Sequence, residues 1–482
     1  MHYAIILRIL GILLMIFSLT MLLPAMVALY YGDSGLVPFL IAFAITLLTG
    51  AVLWTPVNRR QQELRTRDGF LITSLFWIVL SLFGALPFIL AEQPNLSVSD
   101  AVFESVSGLT TTGATVLTGL DELPHSVLFY RQLLQWLGGI GIIVIAVAIL
   151  PLLGVGGMQL YRTELPGPVK DTKLTPRITG TAKALFLIYL GLTLACALGY
   201  RIAGMSNFDA LCHAFSTVAI GGFSTHDASI GHFNSPAVTL ICTVFMFLAG
   251  INFALHFFAW RGKRIDHYLR DPETRFYAGV IGSAALLVCL YLILSGFYAT
   301  EEGLLQGVFQ TVSIATTTGF TTANFALWPS FLPMLLILLS FMGGCASSAG
   351  GGMKAVRVML IAKQGIRELT QLVHPNAVIP LKVGNRRVEA KVVSAVWSFF
   401  AVYMFAFLFI MLLLMATGLD QYTAFSAVAA TLNNLGPGLG AVAAHYGDIN
   451  AVAKWLLSFA MLLGRLEVFT LLVLFTPAFW RQ

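Results

Sequence analysis

The sequence predicts an all-α membrane protein with about ten transmembrane helices, arranged as four tandem repeats behind an extra N-terminal helical pair. Of the 482 residues, 58% are hydrophobic and only 10% are charged, whereas a soluble domain carries about a quarter charged residues. The apolar residues form long runs, and one glycine-containing motif recurs in four places. This composition excludes a soluble enzyme, a secreted disulfide protein and a disordered scaffold.

Each predicted span is a run of roughly 18 or more mainly apolar residues, which is long enough to cross a bilayer as a helix. The spans lie at 4–31, 36–57, 69–91, 126–153, 179–204, 236–260, 276–297, 330–361, 392–418 and 450–478. Basic residues are asymmetric, since 23 of the 28 Lys and Arg fall in four alternate loops or at the C-terminus. By the positive-inside rule, these loops and both termini face the cytoplasm. The formal charge of +6 therefore reflects topology rather than a nucleic-acid partner.

Four segments between the spans, of about 15 residues each, are too short to cross a hydrocarbon core of about 30 Å as helices. They lie at 98–112, 206–221, 303–318 and 420–435. In chain order they contain the motifs SVSGLTTTGAT, STVAIGGFST, TVSIATTTGFTT and AVAATLNNLGPG. Aligning Gly113, Gly222, Gly319 and Gly436 gives repeat steps of 109, 97 and 117 residues. We expect each segment to be re-entrant, with a short pore helix followed by a loop.

The helices that follow these segments support the same alignment. They carry the motifs WLGGIG, FLAGIN, FMGGCA and MLLGRL, whose shared glycines are Gly139, Gly250, Gly344 and Gly464. These glycines lie 26, 28, 25 and 28 residues beyond the loop glycines. Two motifs at nearly constant separation in four places indicate an internal repeat. The predicted units are the extra helical pair at 1–58 and four pore repeats at 59–160, 161–270, 271–385 and 386–482.

The four loops are predicted to form an ion filter around a pseudo-fourfold axis. Non-helical backbone at membrane depth is tolerated only where it is buried in protein or lines a water-filled path. A ring of carbonyl oxygens can replace the hydration shell of a cation. One Thr-Thr-Thr-Gly motif alone is also typical of a helix C-cap, but four matched copies favour a filter. The candidate filter residues are Thr110, Thr111, Thr112, Gly113, Ala219, Ile220, Gly221, Gly222, Thr316, Thr317, Thr318, Gly319, Asn433, Asn434, Leu435 and Gly436.

These motifs, each in a span–pore–span unit, resemble those of the Trk/Ktr/HKT potassium-transport superfamily. The leading helical pair and the segment GGCASSAGGGMK make its TrkH branch the most similar. The resemblance covers essentially the whole chain and implies K⁺ uptake across a bacterial inner membrane. It also implies a homodimer that works with a cytosolic, TrkA-type nucleotide-binding subunit. Nucleotide regulation is then expected through that partner, with no cofactor on this chain.

The second and fourth loops depart from the Thr pattern of the other two. Ala219, Ile220 and Gly221 replace threonines in the second loop, and the fourth reads Asn-Asn-Leu-Gly. Fewer hydroxyl groups predict a looser site that discriminates imperfectly among K⁺, Rb⁺ and Na⁺. The register of the fourth loop is open to about one residue.

A gate is predicted below the filter, in the helices that follow the third and fourth loops. Residues 343–353 are too rich in glycine to remain a stable helix, although a glycine-packed helix contact is the alternative. The candidate gate residues are Gly343, Gly344, Cys345, Ala346, Ser347, Ser348, Ala349, Gly350, Gly351, Gly352 and Arg465. Arg465 aligns with Cys345, and we expect it to face the pore rather than pair with Glu467. Only the third repeat is expected to break at this level, and the resemblance supports a blocking loop there.

Three classes of function are compatible with a membrane protein of this kind. They are a gated, K⁺-selective channel-like pore, a secondary transporter that couples K⁺ to H⁺ or Na⁺, and a membrane-embedded enzyme. The sequence offers no catalytic constellation, which disfavours the enzyme. Parallel repeats and a cationic intramembrane residue favour the channel over alternating access. Asp100, Glu104 and Asp209, at or near pore-helix starts, are expected to cap helices or to attract cations.

Overall fold

The computed structural model describes residues 3–57, 66–144 and 178–481. These residues are mainly helical, and their only strands are Lys382–Val383 and Arg386–Arg387. The two strands form an antiparallel hairpin in which Lys382 pairs with Arg387 and Val383 with Arg386. The predicted unit boundaries at 58/59 and 160/161, and the end of the span predicted at 126–153, lie outside the described residues.

The helices alternate between long segments and short ones. The long segments and the pieces of broken spans are Tyr3–Thr20, Leu22–Tyr31, Leu36–Trp54, Thr66–Gly84, Leu86–Leu90, His125–Val144, Ile178–Ile202, Pro236–Ala249, Phe253–Gly262, Asp266–Arg270, Pro272–Leu294, Leu332–Leu339, Ala355–Val373, Ala390–Ala416, Ala451–Arg465, Phe469–Leu472 and Pro477–Trp480. Within the described ranges, 6 helices are long and apolar enough to cross a membrane, or up to 8 if each bent pair counts as one span. The chain is therefore a multi-pass membrane protein.

Three of the predicted spans are not continuous helices. The span predicted at 236–260 bends by 98° between Ala249 and Phe253, and the one at 450–478 bends by 109° beyond Arg465. The span at 330–361 is helical only to Leu339 and again from Ala355. The expectation that only the third repeat breaks is therefore wrong.

The physical reasons for the two bends are local. Asn252 starts a new helix because its side-chain oxygen accepts a hydrogen bond from the N–H of Ala254 at 2.8 Å. Beyond Arg465, both Glu467 and Val468 have positive φ angles, of 53° and 56°, which a helix cannot accommodate. Neither cause is a run of glycines or prolines, so neither bend could be predicted from the sequence.

The extra N-terminal pair is held together by a close backbone contact. Tyr3–Thr20 packs against Leu36–Trp54, and a Cβ on Gly11 would lie 2.7 Å from the carbonyl oxygen of Gly50. A Cβ on Gly50 would likewise lie 2.8 Å from the carbonyl oxygen of Gly11. Small residues that let two helix backbones approach are typical of helix packing within membranes.

Four short helices lie between the long ones, one in each predicted re-entrant segment. These pore helices, numbered in chain order, are Val98–Leu109, Asn207–Val218, Thr300–Ala315 and Gln421–Leu432. Ser97, Ser206 and Asp420 cap the first, second and fourth, because each side chain accepts a hydrogen bond from a backbone N–H in the first turn. The C-terminal halves of all four are buried.

The pore helices are packed in a closed cycle. Each one contacts both of its own flanking helices and also the helix that follows the preceding pore helix. The latter contacts run from His125–Val144 to the second pore helix, from Pro236–Ala249 to the third, from Leu332–Leu339 to the fourth, and from Ala451–Arg465 back to the first. This cycle brings the four loops that follow the pore helices to one place.

Candidate ion pathway

Each pore helix ends in a residue with left-handed backbone. These residues are Thr111, Ile220, Thr317 and Asn434, with φ angles of 53°, 54°, 68° and 54°. The N–H of the next residue then donates to the carbonyl five positions earlier, at 2.7–2.9 Å, as in a Schellman C-cap. Three of the four left-handed residues are β-branched, which is unfavourable by about 1–3 kcal/mol each. Backbone strain of this kind collects at functional sites.

A glycine with a second positive φ angle follows two residues later in every loop. The φ angles are 82° at Gly113, 77° at Gly222, 84° at Gly319 and 99° at Gly436. The left-handed residue and the glycine two positions later thus repeat in all four loops. In the fourth loop, Asn434 is therefore equivalent to Thr111 of the first loop, and Gly436 is equivalent to Gly113.

The four loops form a closed ring. A Cβ added to Gly113 would clash with the carbonyl oxygen of Gly221, in the second loop. A Cβ on Gly222 would likewise clash with the carbonyl oxygen of Thr318, in the third loop, and a Cβ on Gly319 with that of Leu435, in the fourth. The ring closes because a Cβ on Gly436 would lie 2.7 Å from the carbonyl oxygen of Thr112. The carbonyls that precede the four glycines are therefore equivalent.

Three side chains fix these loops, and two of them lie outside the predicted set. Gln135 donates from Nε2 to the carbonyl oxygen of Gly221 at 2.6 Å, and its Oε1 accepts from the N–H of Phe223. Tyr446 donates its hydroxyl to the carbonyl oxygen of Gly436 at 2.8 Å. Asn434 donates from Nδ2 to the hydroxyl of Thr112 at 2.9 Å and so ties the fourth loop to the first. The sequence did not point to Gln135 or Tyr446, because both lie outside the repeated glycine motifs and only packing brings them to the loops.

A buried ion pair links the first loop to the second. Arg131 Nε lies 2.8 Å from Glu104 Oε1, and both side chains are almost wholly buried. Glu104 also accepts from the hydroxyl of Thr115, and Arg131 donates to the carbonyl oxygen of Ser224. The sequence had suggested that Glu104 caps a helix or attracts cations at the surface, and these contacts show that it does neither. It is a structural anchor.

The two other acids do lie in the first turns of their pore helices. Asp100 accepts from the hydroxyl of Ser97 at 2.7 Å, and it also pairs with Lys454 at 2.6 Å. Asp209 accepts from the hydroxyl of Ser206 at 2.7 Å in the same way. Each acid thus supports the serine that caps its helix.

The glycine-rich segment at 343–353 contacts the third and fourth of these loops at the ends of their pore helices. Gly351 N–H donates to the hydroxyl of Thr317 at 2.7 Å, and Gly352 N–H donates to the carbonyl oxygen of Asn433 at 3.0 Å. Cys345 N–H donates to the carbonyl oxygen of Gly250 at 2.8 Å, at the bend of the second repeat. The segment is therefore in direct contact with three of the four repeats.

Arg465 supplies the contact with the first repeat. Its guanidinium donates to the carbonyl oxygens of Ala349, at 3.0 Å, and of Gly138, at 3.1 Å. The side chain is only 4% exposed. Glu467, which the sequence offered as an alternative partner of Arg465, instead accepts from Arg357 at 2.7 Å.

A buried carboxylate holds both ends of the glycine-rich segment. Glu273 Oε1 accepts from the N–H of Ala346 at 2.7 Å and from the N–H of Val356 at 3.2 Å. Lys354 donates to the carbonyl oxygen of Gly350 and closes the turn between them. Sequence reasoning missed Glu273, because an acid in the first turn of a helix is usually satisfied by that helix itself.

Comparisons with known proteins agree with this architecture. A sequence model of the TrkH family, described as cation transport protein, matches residues 36–482. The chain is 58% identical over 482 residues to the Trk system potassium uptake protein TrkH of Halomonas elongata, and 55% identical over 483 residues to the protein of that name from Escherichia coli K12. Both alignments cover 100% of each chain. The structure is similar to the crystal structure of the potassium transporter TrkH from Vibrio parahaemolyticus, with a TM-score of 0.93, 55% identity and 100% coverage of both chains.

Replacing Glu104 by Ala should destabilise the protein strongly, because Arg131 would remain buried without its carboxylate. Breaking a buried pair in this way costs about 3–5 kcal/mol. The matched control is Asp266→Ala, which removes an exposed carboxylate 3.0 Å from Arg264; exposed pairs contribute about 1 kcal/mol or less. The measurement is the midpoint of thermal unfolding in detergent. Equal midpoints for the two variants would contradict an anchoring role for Glu104.

Proposed function

Because the chain belongs to the TrkH family of cation transport proteins, we propose that it takes up potassium across a bacterial inner membrane through a gated, channel-like pore. The curated relatives are named as potassium uptake proteins, which supports transport rather than catalysis. The observation that carries the proposal is the ring of four loops in which each glycine lies against the next loop's carbonyl.

In the proposed filter, K⁺ exchanges part of its water shell for backbone carbonyl oxygens. The equivalent carbonyls are those of Thr112, Gly221, Thr318 and Leu435. No side-chain charge is needed, since each carbonyl dipole presents its negative end. The second and fourth loops have fewer hydroxyl groups, and Gln135 already donates to one of their carbonyls. We therefore expect imperfect discrimination among K⁺, Rb⁺ and Na⁺.

The proposed gate is the segment at 343–353 together with Arg465. The segment lies under the third and fourth filter loops, and Arg465 adds a positive charge that repels a cation. The helix Ala355–Val373 begins directly after the segment, and Glu273 holds its first turn. A displacement of this helix would pull the segment away from the filter and open the path.

The proposed partners are a second copy of this chain and a cytosolic, TrkA-type nucleotide-binding subunit, as the words "Trk system" in the relatives' names suggest. The positive-inside pattern supports a cytoplasmic location for both termini, for the C-terminal part of Ala355–Val373 and for the adjoining β-hairpin. In that hairpin Lys382, Arg386 and Arg387 are exposed. A regulatory subunit that binds there would act on the gate through the helix. The regulatory nucleotide would then be bound by that subunit and not by this chain.

A symporter that couples K⁺ to H⁺ or Na⁺ is the alternative. Coupling of this kind commonly uses ionisable groups within the membrane. Two buried carboxylates contact elements of the proposed path, Glu104 beside the first loop and Glu273 at the glycine-rich segment. Glu104 pairs with Arg131, and Glu273 accepts from two backbone N–H groups. Both are already engaged in structural contacts, which favours the channel.

Reversal potentials of the reconstituted protein separate the two modes. With a fixed K⁺ gradient, a channel should reverse at a potential that is independent of an imposed pH gradient. A symporter that moves one K⁺ with one H⁺ should shift by about 30 mV per pH unit, half of the roughly 59 mV that a tenfold gradient gives one charge. A shift of that size would overturn the channel, and the same reasoning applies to an imposed Na⁺ gradient.

Replacing Gly113 or Gly319 by Ser should lower the K⁺/Na⁺ permeability ratio. The new Cβ would clash with a carbonyl oxygen of the next loop, and the φ angles of 82° and 84° disfavour any side chain. The matched control is Gly204→Ser, because Gly204 has a φ of 104° but open space around its Cβ position. Unchanged ratios in both filter variants, measured by bi-ionic potentials, would refute the four-loop filter.

Replacing Arg465 by Ala should raise K⁺ flux. If an ion passes at about 6 Å, the repulsion is about 3 kcal/mol at an effective dielectric near 20, an upper limit of roughly a hundredfold in rate. Loss of the bond to Ala349 also loosens the gate. Arg465→Lys keeps the charge and should stay close to wild type. Flux and thermal stability are measured on the same purified variants, and unchanged flux with a large loss of stability would make Arg465 purely structural.

A further inference from the structure

A cluster of histidine and aspartate side chains lies beyond the glycine ends of the first two filter loops. Asp121, His226 and His232 each offer one ligand atom, and these atoms all lie within 4.8 Å of one another. Asp121 belongs to the chain after the first loop, and the two histidines follow the second. We propose that this cluster binds one divalent transition-metal ion of the zinc type.

The surroundings of His226 require a positive charge. Its Nδ1 contacts a carboxylate oxygen of Asp121, and its Nε2 lies 3.4 Å from Asp209 Oδ1. A neutral imidazole carries only one N–H, so one nitrogen would point its lone pair at a carboxylate. A metal ion bound to one nitrogen removes that conflict, because the other nitrogen then carries the proton and donates to its carboxylate.

The second histidine supplies a further ligand beside the first. The rings of His226 and His232 are stacked, with centroids 3.5 Å apart and an interplanar angle of 2°. One ion would take a nitrogen from each ring. Parallel rings cannot both point a nitrogen at the same ion, so one ring must tilt. His232 is exposed and has room to do so.

The chemistry of the cluster suits zinc. Two imidazole nitrogens and one carboxylate oxygen are three typical zinc ligands, and a water molecule completes a tetrahedral set. Asp209, on the far side of His226, takes the place of the outer carboxylate that orients a ligating histidine. His213 is held apart from the site, since its two nitrogens contact the carbonyl oxygen of Asp209 and the hydroxyl of Ser224. Asp121 and Asp209 together supply two negative charges for a divalent ion.

A bound ion would connect the segments after the first and second filter loops. A second contact already joins them, because Leu120 N–H donates to Asp227 Oδ2 at 3.0 Å. If the loops are the filter proposed above, the ion would lie at the outer mouth of the pore and stiffen it. Metal binding itself does not depend on that function.

The test is calorimetric titration of the purified, tag-free protein with Zn²⁺. Wild type should bind one ion per chain. His232→Ala and Asp121→Asn should each lower the affinity at least about tenfold, as even outer-sphere changes do at metal sites. The matched control is His445→Ala, which removes a histidine 3.9 Å from Asp448 in the loop after the fourth filter motif. This variant should bind as wild type does.

Thermal unfolding and ion flux provide two further readouts. Zn²⁺ should raise the unfolding midpoint of wild type and of His445→Ala but not of His232→Ala, whereas Mg²⁺ should have no effect on any of them. External Zn²⁺ should alter flux in wild type only through this site, so His232→Ala should abolish the response. Failure of wild type to bind Zn²⁺, or equal affinity in wild type and His232→Ala, would overturn the proposal. Binding without any change in flux would leave the metal site intact and count only against its place at the pore mouth.

Discussion

The constraint on which the whole structure depends is that backbone polar groups within a membrane must find partners. A helix satisfies its own groups, but a loop at membrane depth does not, so it must be enclosed by protein or line water. Four short helices end inside this molecule, and a C-cap hydrogen bond closes the end of each one. The long helices are arranged so that all four ends meet, and the ring of carbonyls is the product of that arrangement.

The same constraint explains why the segment at 343–353 is joined to the ring of loops. The segment is also non-helical, and its N–H groups donate to Gly250, Thr317 and Asn433. Arg465, from the fourth repeat, and Glu273, from the third, supply a further donor and a further acceptor. Since several of these partners belong to the loops of the ring or to the break in the second repeat, moving the segment must disturb them.

Much of this architecture could be predicted from the sequence, because hydropathy and glycine periodicity are local signals. Three pore helices fall within their predicted segments, the third begins three residues early at Thr300, and the loop glycines occupy matching positions in the ring. The bends at Asn252 and at Glu467–Val468 could not be predicted, since they depend on a side-chain cap and on strained non-glycine residues. The anchors formed by Glu104 with Arg131 and by Glu273 were also missed, because their partners are distant in sequence and only packing brings them together.

The closed ring has a consequence for how its sequence can diverge. In an assembly of four identical subunits, one substitution changes every quarter of the ring at once. Here all four quarters lie on one chain, so a substitution alters a single quarter and is felt mainly by the next loop, whose carbonyl lies against the altered glycine. Ala-Ile-Gly-Gly and Asn-Asn-Leu-Gly in two of the quarters illustrate this freedom. Fourfold geometry is retained in the backbone, while the side chains around it are free to specialise one position at a time.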